Sequence, residues 1–131
     1  MKAINPESLG APKGYANGML APAGGKLLFV AGQVGWGPGQ TVVEGGFVSQ
    51  FAQALANVMT VVSAAGGKAE DIARLTIYVV AKRQYKADLK AVGLAYREVM
   101  GKHFPAMALL EITSLMDPEA LVEIEATAVI V

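Results

Sequence analysis

Near the end of the chain, the run Leu121-Val122-Glu123-Ile124-Glu125-Ala126-Thr127-Ala128 sets two carboxylates two residues apart in an otherwise apolar stretch. Strand side chains alternate faces, so Val122, Ile124, Ala126 and Ala128 share one face while Glu123, Glu125 and Thr127 share the other. Same-face neighbours lie roughly 7 Å apart, close enough for one acid to raise the other's pKa where water is excluded, and far enough to hold a water or small substrate between them. Such a pair suits general acid/base chemistry. The alternative is a solvated pair that meets lysines on a neighbouring strand.

Few other side chains offer comparable chemistry. With no cysteine and one histidine, the chain has no thiolate nucleophile or disulfide and too few soft ligands for a transition metal. Neither a metal nor any other cofactor is expected. His103 follows a helical pattern, where a histidine either carries protons near neutral pH or satisfies the carbonyls of a helix end. Gly32 and Gln33 close an apolar strand, and a glycine there either lets backbone amides approach a ligand or marks a bulge. Trp36, the only tryptophan, sits in Gly35-Trp36-Gly37-Pro38-Gly39, placed to stack on a ligand or to pack against a neighbouring subunit.

Eleven Lys and Arg balance eleven Asp and Glu. No stripe of basic residues is present to drive counterion release, so no nucleic-acid partner is expected. The composition is 53% apolar with a mean hydropathy of +0.42, yet no uninterrupted apolar run approaches the ~20 residues that span a bilayer. The expectation is therefore no membrane partner and surplus apolar surface used in subunit contacts. The start, Met1-Lys2-Ala3-Ile4-Asn5-Pro6, lacks the apolar core of a signal peptide, and a cytoplasmic location is expected.

These side chains need elements to hold them. At 131 residues one domain, 1–131, suffices to bury a substantial core. Residues 15–20 and 26–33 read as strands joined by Ala21-Pro22-Ala23-Gly24-Gly25, a connection of hairpin length, which makes them expected antiparallel neighbours. A short strand is allowed at 41–43. Phe47, Phe51, Leu55, Val58, Val62 and Ala65 then recur at spacings of four and three, one stripe of a helix that Gly66-Gly67 stops, with polar Ser49, Gln50, Gln53 and Asn57 largely off that stripe. Residues 75–80 alternate as a strand, 85–100 read as a second helix ending at Gly101, and 106–113 and 121–131 close the chain as strands. Two helices that each need a sheet face predict a two-layer α/β sandwich, a mixed sheet covered on one face by two helices.

Several segments in this order resemble the Rid family, also called YjgF/YER057c/UK114: Gly14-Tyr15-Ala16-Asn17-Gly18, Val30-Ala31-Gly32-Gln33-Val34, Gln53-Ala54-Leu55-Ala56-Asn57-Val58, Ala65-Gly66-Gly67, Phe104-Pro105-Ala106 and Val122-Glu123-Ile124-Glu125-Ala126. The resemblance implies a chorismate-mutase-like α/β fold, a homotrimer with clefts at its subunit interfaces, and hydrolysis of reactive enamines and imines to a keto acid and ammonia. It implies a water-positioning role for Glu123, a place at the cleft mouth for Tyr15, and backbone contacts to a small-molecule ligand near Gly32 and Gln33. Glu125 reads as structural. In characterised members an arginine after the Pro-Ala pair grips the substrate carboxylate; this chain has Met107 there, Gly93 in place of a common asparagine, and Leu109 where several members carry a cysteine.

A thioether cannot replace the five donors of a guanidinium fork. The expected activity is thus an enamine/imine deaminase of altered specificity, acting on a metabolite of aromatic or amino-acid catabolism, with Tyr15, Gly32, Gln33, Trp36, Met107 and Leu109 lining the cleft. A catalytically silent trimer that binds a small molecule or serves as a scaffold is the alternative. Arg74 and Arg97 are the arginines available to replace the missing anchor.

Overall fold

The computed structural model describes residues 1–131. Strands β1 (Lys2–Ile4) and β2 (Gly18–Leu20) pair with each other, while β3 (Lys26–Val34), β4 (Ile72–Val79), β5 (Ala106–Glu111) and β6 (Val122–Ile130) form a mixed four-stranded sheet in the order β3-β6-β4-β5. β6 runs antiparallel to both its neighbours and β5 runs parallel to β4. Helices α1 (Phe47–Ala64), α2 (Lys82–Ala87) and α3 (Leu89–Met100) follow β3 and β4. Phe51, Leu55, Val58 and Val62 of α1 are almost wholly buried against Ile72, Leu75, Val79, Val122 and Ile124 of the sheet. Each such apolar side chain contributes about 1.5–3 kcal/mol when fully buried. The α/β sandwich expected from the sequence is the observed one.

The helix stripe ends as its glycines require. Gly66 has φ +84°, and the amides of Gly66 and Gly67 reach back to Ser63 and Val62 carbonyls at 2.9 Å each, the Schellman arrangement that closes a helix C-terminus. By length and composition α1 could cross a membrane, but its apolar stripe is the floor of the core.

Three expectations are corrected. β2 does not pair with β3: it pairs with the N-terminal strand, Lys2 opposite Leu20, and Ala16 bridges to Ala106 at the β5 edge of the sheet. The segment before β2 is held at the β5 edge, where the Ala16 amide also donates to the Pro105 carbonyl at 2.9 Å, whereas β3 lies at the opposite edge of the sheet, so the two strands that the linker joins are kept apart. The single helix expected over 85–100 is two, because Asp88 leaves helical geometry and its carboxylate accepts the Ala91 amide at 3.0 Å, starting α3 afresh. The strand allowed at 41–43 is reduced to one bridge, Trp36 to Val42.

Nor does the polar side of α1 simply face water. Gln50 is buried; its Oε1 accepts the Leu121 amide at 2.7 Å and its Nε2 donates to the Glu119 carbonyl at 3.2 Å. Asn57 Nδ2 donates to the Val34 and Trp36 carbonyls at 3.2 and 3.0 Å. One helix thereby fixes both the corner after β3 and the turn before β6.

Candidate functional site

β6 displays its side chains as the alternation predicts. Val122, Ile124, Ala126 and Ala128 are buried under the helices, and Glu123, Glu125 and Thr127 are half-buried on the opposite, open face of the sheet. The register sets Glu123 across from Tyr78 and Glu125 across from Thr76. The two acids then part company. Tyr78 donates its hydroxyl to Glu125 Oε1 at 2.7 Å. That bond, with some burial and the nearby Glu125 charge, raises the Tyr78 pKa above the ordinary phenol value.

Glu123 has no side-chain partner in the chain. Its carboxylate lies over Gly32, where a Cβ would stand 2.7 Å from Glu123 Cδ and 2.8 Å from Oε2. The pairing of β3 with β6 slips between Val30 and Gln33, so Gly32 sits in a bulge and its bare Cα makes the room the acid occupies. Glu123, Gly32, Val34 and Trp36 share an open hollow of about 450 Å³ with Met116, Asp117 and Pro118. Trp36 Nε1 donates to Asp117 Oδ2 at 3.2 Å, which holds the indole at the rim.

Met107 lies elsewhere. In the register of β5 it stands opposite Leu75, on the helix-facing side, whereas Glu123 faces away from the helices. Met107 borders two hollows: one of about 280 Å³ with Tyr85, Val92, Gly93, Tyr96, Arg97 and Phe104, and one of about 360 Å³ with Tyr15, Asn17, Arg74 and Ala106. Tyr15 and Met107 are therefore brought together, as are Glu123, Gly32 and Trp36, but within one chain Met107 and Glu123 point to opposite faces of the sheet.

The remaining residues take structural places. Leu109 packs against the core, and Gln33 turns its amide back to the Ala31 carbonyl at 3.1 Å. The His103 ring bonds the Ile72 carbonyl at 2.7 Å, so Nε2 carries its proton, and the ring ties the segment after α3 to β4 and not to its own helix end. Tyr96 donates to the His103 carbonyl at 2.7 Å, and burial pushes its hydroxyl well above the usual phenol range. No cluster of His, Cys, Asp or Glu is arranged to hold a metal ion.

The family model described as Endoribonuclease L-PSP matches residues 7–130. A RutC family protein of Pyrococcus horikoshii is 31% identical over 119 residues, 90% of each chain. The 2-iminobutanoate/2-iminopropanoate deaminase of Escherichia coli is 32% identical over 108 residues, 80% of each chain. Among solved structures, the Rid-family protein YyfB of Yersinia pestis, described as being of unknown function, superposes with a TM-score of 0.85 at 33% identity, covering 98% of both chains.

Proposed function

The chain belongs to the Rid (Endoribonuclease L-PSP) family, and from that premise we propose that it hydrolyses a small enamine or imine, with Glu123 as the group that handles the attacking water. An enamine first tautomerises to the imine. Water adds to the C=N carbon while Glu123 takes one of its protons and passes it to nitrogen, giving the carbinolamine. Glu123 then moves the hydroxyl proton to the amine, the C–N bond breaks as the C=O forms, and the products are a carbonyl compound and ammonia. The observation that carries this reading is the division of labour between the two acids. Glu125 is bound by Tyr78, while Glu123 stands unpartnered beside Trp36 in a hollow shaped by Gly32.

The two half-sites are proposed to meet between subunits, the Glu123 group of one protomer facing the Tyr15 and Met107 group of the next in a homotrimer. Leu27, Phe29 and Leu110 support this, because they leave large apolar side chains exposed on one chain. With Met107 where deaminases of the family carry an arginine, the substrate is expected to present a larger apolar body than 2-iminopropanoate, the product of a catabolic deamination.

Ammonia release from enzymatically generated imines, wild type against Glu123→Gln, tests the reading. The expected loss is about 100-fold or more, the usual worth of a positioned acid/base. Equal rates across a panel of aliphatic and aromatic imines remove Glu123 from the chemistry, and saturable binding without turnover identifies a silent binding protein instead.

A further inference from the structure

The hollow on the helix side has one charged wall. Met107 and Ile77 form its floor and Tyr85, Val92 and Phe104 its sides, and the only ionised group among its lining residues is Arg97. Arg97 is one turn beyond Gly93, and its guanidinium lies beside that glycine: a Cβ there would meet Nη1 at 3.4 Å and Cζ at 3.9 Å, ordinary contact distances. The side chain is exposed and engages no carboxylate within 4.0 Å, so its donors are free. Arg74 does not line this hollow. It stands opposite Ala106 and Thr127 in the sheet and borders the other hollow that Met107 shares with Tyr15.

An apolar cavity with a lone, unpaired guanidinium at its rim matches a ligand with an apolar body and one anionic end. We propose that this hollow binds a small monocarboxylate carrying an aromatic or branched aliphatic group, with Arg97 reading the carboxylate and Met107, Tyr85 and Phe104 enclosing the apolar part. This rests on the hydrolase reading only in treating the hollow as half of the reaction cleft.

Calorimetric titration of the full chain with phenylacetate and with its neutral isostere phenylacetamide tests the site without requiring turnover. Wild type is expected to prefer the acid by at least ~10-fold. Arg97→Gln is expected to lose that preference, Arg97→Lys to retain part of it, and Arg74→Gln to keep it whole. Absence of phenylacetate binding, equal affinity of wild type for acid and amide, or a preference that survives in Arg97→Gln overturns the assignment. The two readings fail differently: a protein that binds phenylacetate through Arg97 but releases no ammonia sinks the hydrolase alone, and ammonia release from an imino acid with unchanged KM in Arg97→Gln sinks the anchor alone.

Discussion

Glu123 and Gly32 form one unit, since the space of the glycine's absent side chain is where the carboxylate rests. Gly32→Ala therefore separates stability from activity. The new methyl meets the far end of a flexible side chain, which swings aside at little cost, and Gly32 is exposed, so the melting temperature is expected to stay within a few degrees of wild type, as for a substitution costing about 0.5 kcal/mol or less. The carboxylate, however, is moved by an ångström or more, and misplacement on that scale costs on the order of 100-fold in rate. Ammonia release and thermal unfolding measured on the same preparation check both halves. A variant that keeps its rate denies Glu123 its position over Gly32, and one that unfolds shows the bulge to be structural. The acid's candidacy was visible in the sequence, because alternation alone fixes the face. Spacing alone does not say which acid is free; the reading of Glu123 as the working acid and Glu125 as structural rests on the family resemblance, because the partner that binds Glu125 is Tyr78, a residue 47 positions away.

At the level of elements, α1 acts as both lid and clamp. Its apolar stripe was legible from spacing, and so were β4, β5 and β6, since their periods are set by local geometry. Pairing was not legible. The linker at 21–25 has hairpin length, yet β3 joins β6, a strand about a hundred residues away in sequence, while the segment before β2 is held at the opposite edge of the sheet by Ala16. The same limit hid Gln50, which reads as a surface glutamine and is a buried staple between α1 and the turn into β6. Gln50→Leu preserves much of the volume but leaves the Leu121 amide and Glu119 carbonyl without their partner. A buried unsatisfied group costs about 1–3 kcal/mol, so urea unfolding is expected to show a loss of about 2–4 kcal/mol with an unchanged m-value. A loss below about 0.5 kcal/mol shows that water replaces the amide and that the staple is dispensable.

For the whole molecule, the sheet is covered by helices on one face only, and the surplus hydropathy seen in the composition resolves into particular side chains on the other. Phe29 is 74% exposed and Leu27 62%, both on β3, which is also an edge strand with its outer backbone groups unpaired. An apolar edge strand of nine residues left bare is an aggregation site, and covering it with another subunit removes the hazard. Phe29→Asp is the sharpest probe, because a side chain this exposed in one chain does nothing for the fold of that chain. If the open face is the subunit interface, each copy loses the roughly 1.5–3 kcal/mol of a buried phenylalanine and gains an unpaired charge in an apolar contact, at a cost of several kcal/mol. Sedimentation velocity is then expected to find a folded monomer in place of the proposed trimer, with the circular dichroism of wild type. If the proposed cleft is right, ammonia release vanishes with it, since Glu123 and Met107 lie on opposite faces of one sheet. A trimer that survives the substitution places the interface elsewhere, and a monomer that keeps full turnover requires a site complete within one chain.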